Sequence, residues 1–236
     1  MLDPAGAVAD AVRLENAARK QIPRRWLSFG DATLTLRLAD HVDEAIHAEV
    51  VALTDAIRSA NLGPDVAVVP AFATLAVQFD PTRRSPRSLA RQLPTTATAA
   101  AASLEAVTHA VAVSYDGGDL MEASKSLGMD IDELVRLHSK PPYLVYATGF
   151  LPGFAYLGML DARLKLPRRA NVRRLPAGAV IAAGQQTAIL PADGLTGWHH
   201  LGSTNFAPLD WSRAAPMALQ VGDRVRFECA ARPFKP

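Results

Sequence analysis

Residues 148–158, TGFLPGFAYLG, contain the side chains best suited to forming a ligand pocket. Within eleven positions the segment combines three glycines, one proline and three aromatic residues. Glycine permits backbone conformations with positive φ, proline fixes its own φ, and aromatic rings supply rigid walls. The candidate pocket residues are Phe150, Pro152, Gly153, Phe154 and Tyr156. The pattern fits either a binding loop or a turn whose rings fill a core, because ordinary loops also carry these residue types.

A basic stretch follows this segment and is a candidate anion-binding loop. Residues 163–174 contain six Lys and Arg residues and no acidic residue. The planar guanidinium group of arginine can bind a carboxylate or a phosphate in a bidentate manner. The stretch is equally well explained as a solvated or partner-facing loop, most of all at Arg173 and Arg174.

Two further groups could act on a polar substrate. Gln185, Gln186 and Thr187 follow Gly184, so their amide and hydroxyl groups could recognise a lactam, although they could instead stabilise a turn. His138 is the imidazole just ahead of the aromatic segment and could act as an acid or base near neutral pH. It could instead satisfy the last carbonyl groups of a helix.

Several catalytic motifs are missing from the sequence. Gly153 and Gly158 have the glycine spacing of a phosphate-binding loop, but Met159-Leu160 stands where Lys and Ser or Thr are required. There is no Gly-x-Ser-x-Gly elbow, no His-Glu-x-x-His helix and no cysteine set with metal spacing. His199 and His200 are adjacent, and adjacent side chains of a strand point to opposite faces. We therefore expect no metal site, no ATP bound through such a loop and no independent hydrolase nucleophile.

The composition is that of an ordinary globular protein. The chain has 236 residues, 49% of them hydrophobic and 20% charged, so wholesale disorder is not expected. Its net charge of +2 is too small to imply a nucleic-acid partner. The first residues lack a basic region followed by an apolar run, and no segment is long enough to cross a bilayer, so we expect a cytoplasmic protein without membrane association. The single cysteine, Cys229, excludes an internal disulfide and is expected to be a small core residue.

The first half of the chain alternates strand and helix patterns. Alternating leucines over residues 34–38 predict a half-buried strand, and apolar residues at helical spacing over 46–57 predict a helix. Alternation over 75–79 predicts another strand, and Ser85-Pro86 predicts the start of a second helix. The order strand, helix, two strands, helix predicts a small α+β sandwich domain over residues 23–93, preceded by an extension at 1–22.

The second half has a different pattern. Residues 94–104, rich in Ala and Thr, are predicted to be a linker because they lack an amphipathic period and bulky core residues. Alternation over 107–113 predicts a strand, and Asp130 with Glu133 predicts the start of a helix that ends at His138. From Tyr143 onward, short strands separated by Pro and Gly turns predict a mainly β domain over residues 105–236.

The order and spacing of motifs in this half resemble one family. After the aromatic segment come LPRR at 166–169, PAGAV at 176–180, AGQQT at 183–187, GWH at 197–199 and GDRVRF at 222–227. Together they resemble the 5-oxoprolinase B-subunit (PxpB) family, which also includes the KipI-type inhibitors of sporulation kinases and the subunit 1 domain of allophanate hydrolases. The match is densest from Tyr115 to Phe227 and weaker back to about Trp26. Met159 replaces a usual glycine and Leu195-Thr196 replaces a Pro-Gly pair, so two loops depart from the family pattern.

This resemblance implies a cyclophilin-like β-barrel in the second domain and a function as the B subunit of an ATP-dependent 5-oxoprolinase. Such a complex opens 5-oxo-L-proline to L-glutamate with homologues of the A and C subunits, and the ATP is used by the complex rather than bound by this chain. The match at LPRR favours a role for Arg168 and Arg169. The candidate substrate-binding residues are Phe150, Pro152, Gly153, Phe154, Tyr156, Arg168, Arg169, Gln185, Gln186, Thr187, Trp198 and His199, and the candidate catalytic residue is His138.

Other functions are compatible with the same motifs. A KipI-type inhibitor would use the β domain to dock on a histidine kinase, with Tyr156 or Trp198 as binding anchors. An accessory subunit of an allophanate hydrolase is a further possibility within the family. A peptidyl-prolyl isomerase would follow only from analogy with the barrel, and fold does not imply function.

Overall fold

Residues 23–97 and 106–230 are described by the computed structural model, and the chain divides into two units, 1–101 and 102–236. The predicted extension at 1–22 and residues 98–104 of the predicted linker lie outside the described residues. The domain limits drawn from the sequence stay predictions.

The N-terminal unit contains one antiparallel set of strands and two helices. Its elements are β1 (Leu27–Ser28), β2 (Thr33–Arg37), α1 (Glu44–Ser59), β3 (Val66–Ala71), β4 (Thr74–Phe79) and α2 (Pro86–Ala90). The strands pair in the order β1-β2-β4-β3. The strand predicted over 34–38 and the helix predicted over 46–57 are confirmed, whereas the sandwich arrangement stays a prediction.

Alternation along the strands builds the core of this unit. Leu34 and Leu36 of β2 pair with Val77 and Leu75 of β4. All four side chains are at most 1% exposed, as expected when one face of a sheet is buried. Helix α1 adds three buried residues to the same cluster: Val50, Leu53 and Ile57.

Trp26 ties the start of the predicted linker to the N-terminal unit. Its indole Nε1 donates a hydrogen bond of 3.0 Å to the carbonyl oxygen of Pro94. Ala97 packs against the apolar cluster of the same unit. Residues 94–97 therefore pack as part of this unit.

The C-terminal unit is mainly β with few helices, as predicted. Its elements are β5 (Thr108–Val113), α3 (Leu120–Leu127), α4 (Ile131–Ser139), β6 (Pro142–Thr148), β7 (Ala155–Gly158), β8 (Arg173–Leu175), β9 (Ala179–Ala183), β10 (Gln186–Ile189), β11 (Gly194–Thr196), β12 (His199–Ser203) and β13 (Arg224–Cys229). Helix α4 begins where the sequence predicts, because the Asp130 side chain accepts a hydrogen bond of 2.7 Å from the backbone N–H of Glu133. Helix α3 was not predicted from the sequence.

Strand pairing in this unit follows the order β5-β13-β6-β7-β10-β9-β12. The β5–β13 pair is parallel and the other pairs in this path are antiparallel. Ser114, just after β5, exchanges two backbone hydrogen bonds of 2.9 and 2.8 Å with Ser203 of β12. Strands β8 and β11 form a separate two-stranded ribbon. A closed barrel stays a prediction.

Cys229 corrects one expectation. It was expected in the core, but it is exposed. Val225 and Phe227 of the same strand are buried, whereas Cys229, at the last position of β13, is not. In residues 23–97 and 106–230, no helix combines the length and apolar character needed to span a membrane.

Because the C-terminal unit has its own apolar clusters, a fragment covering residues 102–236 should fold without the rest of the chain. We expect one cooperative transition in urea, followed by circular dichroism, with the full chain as the reference. A fragment that loses its β signal gradually, without a transition, would contradict independent folding of this unit.

Candidate functional site

Residues 149–154 of the aromatic segment form the connection between β6 and β7, and residues 155–158 are β7 itself. Gly149 and Gly153 have φ of 149° and 81°, and Phe150 itself has φ of 74°. A Cβ atom at Gly153 would lie 2.8 Å from the Cβ of Leu209, so another residue there would displace the neighbouring loop. The shaped loop predicted from glycine and proline is confirmed.

The rings of this segment form an aromatic cluster with a fourth ring from the turn that leads into β12. Phe154 makes edge-on contacts with Phe150, Tyr156 and Trp198, at centroid distances of 5.3, 4.9 and 6.1 Å. Phe154 and Trp198 are 2% and 6% exposed, whereas Phe150 is 62% exposed. The core-filling interpretation therefore holds for Phe154, whereas Phe150 lies at the surface and a binding role for the segment stays a prediction. Pro152 is exposed beside Phe150.

His138 lies in a buried hydrogen-bonded chain. Its Nδ1 is 2.8 Å from the Tyr115 hydroxyl, and its Nε2 is 2.9 Å from Oγ1 of Thr187. The Thr187 hydroxyl donates to the carbonyl oxygen of Ile181 at 2.9 Å. One arrangement satisfies every group: Tyr115 donates to Nδ1, and Nε2–H donates to Thr187. The ring also stacks on Phe227 at 4.9 Å.

Burial keeps this chain of hydrogen bonds neutral. Desolvation lowers the pKa of His138 to about 3 and raises the pKa of Tyr115 well above its ordinary value. His138 has 0% exposure and both ring nitrogens are occupied, so the geometry gives it the role of a structural hydrogen-bonding group. Its direct acid–base role stays a prediction, and the burial of the ring is evidence against it.

The three residues predicted to recognise a lactam, Gln185, Gln186 and Thr187, lie in two different environments. Thr187 is fully buried and its hydroxyl is engaged by His138 and Ile181. Gln185 and Gln186 are half-buried at the turn between β9 and β10. The backbone carbonyl of Gln185 accepts a hydrogen bond of 2.8 Å from the N–H of Leu160. The observed contacts thus stabilise the turn, and recognition of a lactam stays a prediction.

Asp119 organises the basic stretch. Its Oδ1 lies 2.9 Å from Nη1 of Arg169, and its Oδ2 accepts from Nη2 of Arg173. The backbone N–H of His200 donates to the same Oδ2 at 2.8 Å. Arg169 also contacts Glu122, at 2.6 Å, and that hydrogen bond raises the pKa of the guanidinium. We call this arrangement of Asp119, Glu122, Arg169 and Arg173 the Asp119 network.

The network corrects the interpretation of the basic stretch. Arg173 is not a merely solvated charge, because it is ion-paired with a carboxylate that is 2% exposed. Arg169 is engaged in the same way, whereas Arg168 and Arg174 are exposed and make no side-chain ion pair or hydrogen bond within the described residues. Of the two arginines singled out in the sequence, only Arg168 is therefore available to a ligand without breaking an existing contact.

The turn before β12 joins the network to the aromatic cluster. The backbone N–H of Arg169 donates to Gly197 at 2.8 Å, and the next residue, Trp198, packs on Phe154. His199 Nε2 lies 2.9 Å from the carbonyl oxygen of Pro167. His200 instead receives a hydrogen bond of 3.3 Å from Gly118, and burial, followed by the charge of Arg173, lowers its pKa.

The two adjacent histidines thus contact different segments. Among the residues described, no group of three or more His, Cys, Asp or Glu side chains is arranged to hold a metal ion. Sequence reasoning missed Asp119 and Tyr115. Tyr115 carries no local signal for its partner 23 positions away, whereas the apolar spacing of Leu120 and Ala123 ahead of Gly128 was a usable sign of helix α3.

Comparison with known proteins places the chain in a family. The protein-family model described as "Carboxyltransferase domain, subdomain C and D" matches residues 24–219 of this chain. The chain belongs to this family. The Haemophilus influenzae protein named as the B subunit of 5-oxoprolinase is 42% identical over 112 residues, which are 47% of this chain and 53% of that protein. The chain therefore spans about half the length of that curated relative.

Two further matches cover more of the chain. The Bacillus subtilis protein named as the B subunit of 5-oxoprolinase is 28% identical over 215 residues, 84% of this chain and 90% of that protein. The solved structure of TTHA0988 is 37% identical with a TM-score of 0.73, and the match covers 86% of this chain and 41% of that chain. The resemblance to the 5-oxoprolinase B-subunit family is confirmed.

The burial of His138 should make stability depend on pH. The unfolded imidazole takes up a proton below about pH 6.5, whereas the pKa in the folded protein is about 3. The unfolded state therefore binds more protons between these values, and the free energy of unfolding should fall by up to about 1.4 kcal/mol per pH unit as the pH drops through this window. Urea unfolding from about pH 7 to about pH 4.5 measures the slope.

Two variants separate titration from lost packing. His138→Gln should make the pH dependence shallower, because the group that titrates is gone. Leu134→Ala, which removes another buried side chain of α4, should lower stability at each pH and leave the slope unchanged. An unchanged slope in His138→Gln would contradict the assignment.

The Asp119 network predicts different effects for two adjacent arginines. Arg173→Ala removes one guanidinium from a buried carboxylate and should lower the free energy of unfolding by about 1–3 kcal/mol. Arg174→Ala, which removes an exposed and unpaired side chain, should change it by less than about 0.5 kcal/mol. Urea unfolding of both variants at neutral pH provides the comparison, and equal effects would refute the role given to Asp119.

Proposed function

We propose that the chain is the B subunit of an ATP-dependent 5-oxoprolinase complex that opens 5-oxo-L-proline to L-glutamate. The observation that carries the proposal is its similarity to curated proteins named as 5-oxoprolinase B subunits, over 84% of this chain in the Bacillus subtilis case. Homologues of the A and C subunits are the proposed partners.

The reaction explains why several subunits would be needed. A lactam carbonyl is a poor electrophile, so its hydrolysis benefits from transfer of the ATP γ-phosphoryl group to the carbonyl oxygen. One water then attacks the activated carbon and the C–N bond breaks, giving γ-glutamyl phosphate, and a second water hydrolyses this acyl phosphate to glutamate and inorganic phosphate. Gly158 is followed by Met159-Leu160 rather than by Lys and Ser or Thr, so nucleotide binding is assigned to a partner and this chain binds no cofactor of its own.

This chain contributes part of the pocket that holds the lactam. Phe150 and Pro152 are exposed beside buried Phe154, which offers an apolar wall next to polar loops. Arg168 is the proposed clamp for the substrate carboxylate or the transferred phosphate, since it has no partner within the described residues. Arg169 is held by Asp119 and Glu122 and is assigned to positioning this loop.

The same proposal includes a closed, cyclophilin-like barrel in the C-terminal unit. The hydrogen bonds between Ser114 and Ser203 support it, because they connect the two ends of the strand order β5 to β12. Closure would leave no free sheet edge beside the site.

The test is reconstitution with purified homologues of the A and C subunits, following ADP and glutamate formation with 5-oxoproline. Activity should require all three proteins, and this chain alone should have none. Arg168→Lys keeps the charge and loses the planar fork, so kcat/KM should fall about tenfold or more. This fall is equivalent to a loss of about 1.5–3 kcal/mol of binding free energy.

Arg163→Lys is the matched control, because Arg163 lies in the same basic stretch but pairs with Asp161 at 2.8 Å. It should keep near-normal activity. Full activity of Arg168→Lys would refute the clamp, and a loss matched by weaker association of the proteins would assign Arg168 to an interface. Turnover by this chain alone, or inhibition of a histidine kinase by it, would overturn the proposed function.

A further inference from the structure

The N-terminal unit contains a cleft that is lined mainly by polar side chains. Its volume is about 390 Å³, which is within the range of small-molecule sites. One wall comes from the loop between α1 and β3, and the other comes from the segment that runs from β4 through α2. The polar lining residues are Asp65, Arg83, Arg84, Ser85, Ser88 and Gln92. We call this site the Arg83 cleft.

An ion pair ties the two walls of the Arg83 cleft together. Nε of Arg84 donates to Oδ2 of Asp65 at 2.5 Å, and Nη2 lies 3.2 Å from Oδ1. The same Nη2 donates to the carbonyl oxygen of Leu62. Asp65 has a side chain that is 7% exposed, and the hydrogen bonds from Arg84 lower its pKa. The acidic residue of the lining is therefore ionised, and its charge is compensated by Arg84.

A second arginine in the cleft is left without an ion-pair partner. Arg83 is exposed, and its side chain makes no ion pair or hydrogen bond within residues 23–97 and 106–230. Asp80 is the other carboxylate in this region, but its Oδ1 accepts from the hydroxyl and the N–H of Thr82 at 2.7 and 2.9 Å. Those hydrogen bonds, and more weakly the charge of Arg83, lower the pKa of Asp80. Residues 81–97 contain four arginines and no acidic residue, so positive charge prevails around the cleft.

Neutral hydrogen-bond donors line the same cleft. The Ser85 hydroxyl oxygen accepts from the N–H of Ser88 at 3.2 Å, which leaves its own proton to be donated. The Ser88 hydroxyl makes no hydrogen bond within the described part of the chain. Gln92 donates one amide proton to the carbonyl oxygen of Ser88 at 3.2 Å and keeps a second. A guanidinium beside hydroxyl and amide donors is suited to an anion with several oxygen atoms.

We infer that the Arg83 cleft binds a small organic anion through its phosphate or carboxylate group. Arg83 pairs with the anionic group, Ser85 and Ser88 donate hydrogen bonds to it, and Arg84 holds the walls in place through Asp65. The volume exceeds what one such group fills, so the rest of the molecule also fits in the cleft. The inference is independent of the proposed reaction, because the residues assigned to the lactam pocket belong to the other unit of the chain.

The test is isothermal titration calorimetry of the full chain at low ionic strength, with glycerol 3-phosphate and succinate as separate probes. At least one probe should bind saturably at one site per chain, and the tighter one shows which anionic group is preferred. Arg83→Gln should weaken its binding about tenfold or more, because a charge-assisted contact is lost. Ser88→Ala should weaken it about two- to tenfold, because a neutral donor is lost.

Arg87→Gln is the matched control. Arg87 lies in the same basic segment, is exposed and has no ion pair among the residues described, but it does not line the cleft. Its replacement removes the same charge and should weaken binding less than about twofold, since it acts only through a screened field. Thermal unfolding of each variant verifies that it is folded. An equal loss in Arg83→Gln and Arg87→Gln would show diffuse attraction to a basic surface and would overturn the inference.

Amide NMR spectra of the full chain locate the bound probe independently. Its addition should shift the signals of residues 83–85 and 88–92, and these shifts should be absent in Arg83→Gln. Saturable binding by neither probe, or shifts confined to the C-terminal unit, would also overturn the inference. Neither result would bear on the 5-oxoprolinase proposal, which reconstitution with the partner subunits tests separately.

Discussion

The buried carboxylate of Asp119 is the group on which the candidate site depends. Its side chain is 2% exposed, and a charge removed from water to that extent needs close partners to be stable. Arg169, Arg173 and the backbone N–H of His200 supply them. These partners come from the basic stretch and from β12, so one carboxylate holds segments that are distant in sequence against the start of α3. The turn that carries Trp198 into the aromatic cluster is fixed by the same contacts.

Asp119 also separates the arginines into two classes that their sequence does not distinguish. Arg169 and Arg173 face Asp119 and Glu122, so two positive charges meet two negative charges. A ligand anion would have to displace a carboxylate that already makes charge-assisted hydrogen bonds. Arg168 and Arg174 carry no such contact in the described part of the chain, so an anion could bind either of them without displacing a carboxylate. Whether one of these arginines is already paired depends on its position relative to Asp119 and Glu122 and not on its residue type.

The difference between local and long-range contacts explains which features could be predicted from the sequence and which could not. Elements with one buried face, such as β2 and α1, are predictable because local spacing reflects burial. Asp130 predicts the start of α4 because its side chain caps that helix. Asp119 stands in the corresponding place before α3 but makes no side-chain cap bond, since its oxygens bind partners as far as 81 positions away. The buried contacts of His138 and the pairing of Arg173 are likewise long-range, so no local pattern could have revealed them.

Most polar groups at the centre of this unit are already engaged within the chain, whereas the buried Nδ1 of His199 and Nε2 of His200 have no hydrogen-bond partner among the described residues. His138 uses both ring nitrogens, Thr187 uses its hydroxyl, and His199 and His200 each bind a backbone group through one nitrogen. A nucleophile or proton carrier needs a lone pair or a proton directed at the substrate. Among the described residues of the site, these groups instead hold walls and turns in place. Under the proposed function, such a chain would supply shape and positive charge to the substrate pocket, and the reacting groups would come from a partner subunit.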